Sequence, residues 1–158
     1  MKNPPKYEIL VAEDDSLILK LELRNLKKLV ICPVKSFWHG GELITYLKEI
    51  ANAEEPKLIF LDINMPRVDG WEVLDFIEDF EFKDSLYVII LSASIQSPDE
   101  ERALRYSRVV GYYDKFLDTH ELSEILKQEV LMKRFNFVLQ NLKEDTHESH
   151  NQTIDLIS

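Results

Sequence analysis

The sequence predicts an α/β fold, a parallel sheet covered by helices on both faces, and three observations predict it. Short apolar runs alternate with amphipathic stretches five times along the chain. The central runs are apolar at every position rather than at every second one, as in strands buried on both faces. The 158 residues, 45% hydrophobic and 30% charged, suit one domain with a real core and exclude disorder throughout. Right-handed crossovers make such a sheet doubly wound.

The elements follow in order. Tyr7 to Ala12 reads as the first strand, and residues 16–29, with Leu and Ile among Lys, Glu and Arg, as the first helix. Val30 to Val34 is a weak second strand, which Pro33 assigns to a sheet edge. Gly41 to Ala51 reads as a helix with Leu43, Ile44, Leu47 and Ile50 on one side. Lys57 to Leu61 is the third strand. The turn Pro66-Arg67-Val68-Asp69-Gly70 leads into a helix ending near Phe80, with Asp69 and Glu72 at capping-box spacing. Leu86 to Ser92 is the fourth strand. Ser97-Pro98-Asp99-Glu100 is a clean helix start. Val109 to Asp114 is the fifth strand, and Asp118 or Thr119 opens the fifth helix.

Charge and composition exclude several function classes. The formal net charge is −10, which opposes binding to phosphate backbones, so no direct nucleic-acid partner is expected. No apolar run approaches the length of a membrane helix, and no apolar signal core follows Met1 to Lys6. A cytoplasmic location, away from membranes, is the expectation. One cysteine, Cys32, forms no internal disulfide and reads as a small buried apolar residue.

Ligands of open parallel sheets bind at the carboxyl ends of the strands. Glu13, Asp14 and Asp15 follow the first strand, Asp62 and Asn64 the third, Ser92 and Ala93 the fourth, and Lys115 the fifth. Carboxylates about 5 Å apart repel by roughly 3 kcal/mol per pair at an effective dielectric near 20. A fold that gathers Glu13, Asp14 and Asp62 therefore needs a compensating cation, and hard oxygen ligands point to Mg²⁺. A carboxylate beside such an ion can attack phosphorus, with a lysine and a hydroxyl to receive the phosphoryl oxygens. Asp62, after the most buried strand, is the best placed nucleophile.

The runs Ile9 to Asp15, Phe60 to Gly70, Val88 to Ala93 and Gly111 to Lys115 resemble the receiver domain of two-component response regulators, over about residues 6–131. The resemblance implies a flavodoxin-like sheet of order 2-1-3-4-5. It implies that Asp62 is the phosphoacceptor and that Glu13, Asp14, Asp62 and the main-chain oxygen of Asn64 hold Mg²⁺. Ser92 matches the switch hydroxyl, Lys115 the lysine that pairs with the phosphoryl group, and Tyr112 the switch aromatic. The implied partners are a sensor histidine kinase or phosphotransfer protein carrying phosphohistidine, and an unknown output protein. The family usually has proline where Phe116 follows Lys115, and a trans bond here is expected to aim the lysine differently. That departure keeps a second reading open, a receiver-like adaptor that is not phosphorylated.

Other readings are weaker. A Mg²⁺-dependent phosphatase resembling haloacid-dehalogenase hydrolases would want an acid where Asn64 stands, and a flavin phosphate would be repelled by Glu13-Asp14-Asp15. The chain is therefore expected to signal as a stand-alone receiver rather than act as an enzyme. His39 and His120 read as ordinary surface residues; His147 and His150 lie in a polar tail from about residue 144 and lack a third ligand. Residues 132–158 read as a helical extension and tail beyond the receiver. Leu131, Phe135, Val138 and Leu142 form a two-heptad seam, either a last helix folded on its own domain or a dimerisation helix giving a homodimer.

Overall fold

Alternation of side chains across each strand divides the core into two halves. In the computed structural model, which describes residues 6–50, 52–93 and 97–140, five parallel strands run in the order β2-β1-β3-β4-β5. They are β1 (Glu8–Ala12), β2 (Val34–Phe37), β3 (Lys57–Asp62), β4 (Leu86–Ser92) and β5 (Val109–Asp114). Leu10, Ile59, Leu61, Val88 and Ile90 face one core with Leu43, Leu47, Val73, Leu74 and Ile77. Ile9, Val11, Leu58, Phe60, Ile89 and Leu91 face the other with Leu19, Leu26, Leu122, Ile125 and Leu126. This double burial is why the central strands read as unbroken apolar runs.

The helices are α1 (Ser16–Leu29), α2 (Gly40–Glu49), α3 (Gly70–Glu78), α4 (Ser97–Leu104), α5 (Thr119–Leu126) and α6 (Glu129–Phe135), with a 3₁₀ turn over Lys83–Ser85. None of them is long and apolar enough to cross a membrane. The side chains of Asp15, Asp69 and Asp118 accept from backbone N–H groups in the first turns of α1, α3 and α5. His39 does the same for α2: its Nδ1 accepts from Gly41 N–H at 3.1 Å. The ring reads from sequence as a solvated loop residue; in the fold it is a cap.

Two expectations are corrected. The second strand lies at Val34–Phe37, not at Val30–Val34. Val30 still donates to Leu26 O as the cap of α1, and Ile31 is exposed. Because β2 is an edge strand with Lys35 and Ser36 in solvent, it carries no apolar run to find. Pro33 sits just before it, and its carbonyl accepts from Ile9 N–H at 3.0 Å. The second correction concerns the chain end. There are six α-helices among the described residues rather than five, and the heptad seam is interrupted. Helix α6 stops at Phe135, because Asn136 adopts a left-handed φ of 49°. Leu131, Phe135 and Phe137 are buried against the chain's own core, whereas Val138 is exposed. Leu142, His147 and His150 lie outside the described residues.

Candidate functional site: an acidic cluster at the carboxyl edge of the sheet

Strand register brings the acids together. Ala12 is the register partner of Leu61, so the next residues, Glu13 and Asp62, emerge side by side. Asp62 pairs with Leu91, which places Ser92 one step beyond, and Ser92 pairs with Asp114. The backbone N–H of Lys115 donates to Ser92 O at 3.1 Å, tying the lysine to the same edge. Behind Asp62 the chain folds back tightly: Gly70 N–H donates to Ile63 O, and a Cβ on Gly70 would lie 2.6 Å from Asp62 O. Only glycine admits α3 that close to the end of β3.

Carboxylate oxygens of Glu13, Asp14 and Asp62 lie within 4.8 Å of one another, with Glu13 and Asp62 buried and Asp14 exposed. Asp15 does not join them; its Oδ1 accepts from Leu17 and Ile18 N–H, and it serves as the helix cap. The Lys115 ammonium bridges the two buried acids, 2.9 Å from Asp62 Oδ2 and 3.1 Å from Glu13 Oε1. Asn64 is exposed, and its N–H donates to Asp62 Oδ1 at 3.0 Å. Ser92 and Tyr112 are buried, Tyr112 within the core shared with α3.

Burial dominates the electrostatics. It pushes the Glu13 carboxyl up to about 7, with the charge of Asp62 adding to the rise and Lys115 opposing it. Burial also raises Asp62, against the pull of Lys115 and the Asn64 N–H. Burial alone would lower Lys115, but hydrogen bonds and charge from Asp62 and Glu13 leave it raised. With all three carboxyls ionised, the site would carry more negative charge than the Lys115 ammonium balances. Glu13 Oε2 is buried without any hydrogen-bond partner. Such an oxygen is costly to leave unmet, and three hard oxygen donors around it fit a divalent cation of the Mg²⁺ type.

The bond between Lys115 and Phe116 is trans, as expected: no peptide among the described residues is cis. The lysine nevertheless reaches Asp62. An exposed Phe116 donates its N–H to Asp114 Oδ1 at 2.8 Å, so a side-chain turn secures the loop in place of a proline ring.

Sequence reasoning overlooked Glu22. It lies on α1 in line with Leu19, Leu26 and Leu29, all buried. The spacing 19, 22, 26, 29 marks one helix face and was the available signal. Its Oε1 is buried without a partner. Burial, helped by the charge of Glu13, pushes its carboxyl up to about 8.

Residues 9–127 match the family described as the response regulator receiver domain. The chain belongs to that family. This receiver domain is 34% identical over 95 residues to the sensory transduction protein LytT of Oceanobacillus iheyensis, spanning 58% of this chain and 36% of LytT. It is 31% identical over 120 residues to the probable methanogenesis regulatory protein FilR2 of Methanothrix harundinacea, spanning 67% of this chain and 75% of FilR2. It thus covers little more than a third of LytT. Among solved structures it superposes on the phosphorylated cyanobacterial phytochrome response regulator RcpA with a TM-score of 0.65 and 28% identity, over 84% of this chain and 94% of RcpA. Receiver domains are signalling modules that generally bind Mg²⁺ at an acidic pocket and work with histidine kinases or phosphotransfer proteins. The sheet order implied by the resemblance is the order found.

Proposed function

We propose that this receiver accepts a phosphoryl group on Asp62 from a phosphohistidine of a sensor histidine kinase or phosphotransfer protein, and signals through protein contacts. The observation that carries the reading is the Lys115 ammonium held on both Asp62 and Glu13 beside Asp14. An Asp62 oxygen forms the new P–O bond while the P–N bond of the donor breaks, its electron pair returning to the imidazole. Lys115 is within reach to follow a phosphoryl oxygen, and Ser92 offers a hydroxyl one register step from Asp62. Glu13, Asp14 and Asp62 would hold Mg²⁺ through side-chain oxygens and Asn64 through its main-chain carbonyl. When bound, the ion supplies charge neutralisation for the phosphoryl oxygens. Ser92 and Tyr112 act as the switch pair, coupling the site to an output partner on the face of α4, β5 and α5.

The test is intact mass spectrometry after incubation with Mg²⁺ and acetyl phosphate. One added phosphoryl group is expected on the natural chain and none on Asp62→Asn. Neither an adduct nor beryllofluoride binding to the natural chain would overturn the reading and favour the unphosphorylated adaptor. Phe116 motivates that second reading, but a lysine seated 2.9 Å from Asp62 speaks against it.

A further inference from the structure

Beside Lys115 the interior holds a cavity of about 20 Å³ whose lining includes none of Glu13, Asp14 and Asp62. Glu22, Asn25 and Lys115 line it together with Phe60, Leu91 and Leu122. A space of this size accommodates about one water or the head of one side chain. Asn25 is already engaged, donating to Leu117 O at 3.3 Å and accepting from the Thr119 hydroxyl at 3.5 Å. Glu22 is not: its Oε1 is buried and has no hydrogen-bond partner. A residue with an unmet acceptor and the site lysine therefore line the same cavity.

The lysine is placed to need that acceptor. An ammonium has three donors and no acceptor, and here its partners are Glu13 Oε1 and Asp62 Oδ2. A divalent cation seated on Glu13, Asp14 and Asp62 would compete for those same oxygens and repel the ammonium. The Lys115 side chain is only 9% exposed, so retreat into water is not open to it without moving the loop.

We infer that Glu22 is a positioning residue for Lys115: its buried carboxyl oxygen is the acceptor that takes up the ammonium when a divalent cation occupies the acidic cluster. This inference rests on the Mg²⁺ site proposed above. It needs only a carbonyl-type oxygen, so it holds whether Glu22 is ionised or, as its raised pKa favours at neutral pH, carries a proton. Glu22 does not touch the phosphoryl group; it acts through the lysine.

The test uses Mg²⁺ alone, titrated calorimetrically into the full chain and into Glu22→Leu and Glu22→Gln. Leucine suits the apolar surroundings but offers no acceptor, and glutamine keeps an oxygen of the same reach. Glu22→Leu is expected to weaken Mg²⁺ binding roughly tenfold or more, the scale of losing one hydrogen bond to a charged donor. Glu22→Gln is expected to recover affinity to within about twofold. In the natural chain the Glu22 side-chain carboxyl ¹³C resonance, assigned by its absence in Glu22→Gln, should shift as Mg²⁺ is added. An unchanged affinity in Glu22→Leu would overturn the inference, as would equal losses in both variants or a ¹³C resonance indifferent to Mg²⁺. Failure of the natural chain to bind Mg²⁺ would remove the site reading itself and the inference with it.

Discussion

At the scale of single residues, Glu22 carries a cost that pH should expose. Its carboxyl is raised from 4.5 to about 8 in the folded chain, so the folded state binds this proton more tightly than the unfolded state does. The associated stability is complete below about pH 4.5 and is lost as pH rises through about 8. Between pH 5 and pH 8, Glu22→Gln should therefore lose less stability in urea unfolding than the natural chain, by about 2–4 kcal/mol. Parallel pH dependences in the two proteins would contradict the assignment. Gly70 is the other telling residue. An added Cβ would meet Asp62 O and Ile63 Cα at 2.6 Å, both backbone. Gly70→Ala should cost about 1–3 kcal/mol and slow phosphorylation by acetyl phosphate, because relief of the clash displaces Asp62. The two residues differ in legibility. A glycine after Pro-Arg-Val-Asp announces a turn. A glutamate in a helix looks like surface until its spacing from Leu19, Leu26 and Leu29 is counted.

At the scale of elements, the last described stretch of chain is part of the core. Phe135 and Phe137 stack with centroids 4.9 Å apart. Tyr7 meets both edge-on, at 5.6 and 5.2 Å. Tyr87 closes on Phe135 at 5.4 Å, and Gln140 N–H donates to Leu29 O. Phe135→Ala should cost about 3–5 kcal/mol, read as a lowered urea midpoint; a change under about 1 kcal/mol would show that α6 is only an appendage. The apolar spacing of Leu131 and Phe135 was legible, and their burial follows from it. The break after them was not, because the seam weighs only apolar spacing while Asn136 ends the helix by adopting a left-handed backbone. The same limit displaced β2. An edge strand with two exposed residues in four offers a pattern reader little, and its position is set by pairing with β1. Strands β1, β3 and β4 were legible because the sheet buries them on both faces, which fills them mostly with apolar residues; β5, though at an edge, still buries Val109, Gly111 and Tyr112.

For the whole molecule, the decisive fact is that three acids converge on one edge and, among the described residues, a single ammonium, that of Lys115, bridges two of them. Two readable strand ends placed Glu13 and Asp62 there, but their adjacency depends on strand order, which no periodicity encodes and which the family resemblance supplied. The folded chain should then be stabilised by whatever completes the charge balance. Mg²⁺ at a hundred times its Kd should add about 2.7 kcal/mol, raising Tm by several degrees; chelation should reverse the rise. In Asp62→Ala the rise should shrink, and an undiminished response would place the cation elsewhere. Charge also bears on encounter: a formal net charge of −10 favours approach to basic surfaces over acidic ones, an effect that salt weakens.

The loop at Asp114 and Phe116 has an evolutionary consequence. Its geometry depends on a bond from the Phe116 N–H to the Asp114 carboxylate, and proline has no N–H to give. Phe116→Pro, read as a return to the family's habit, would leave that carboxylate without its partner, whereas replacing Asp114 alone would loosen the loop that aims Lys115. The two positions are therefore coupled: what a proline at 116 costs depends on which residue stands at 114.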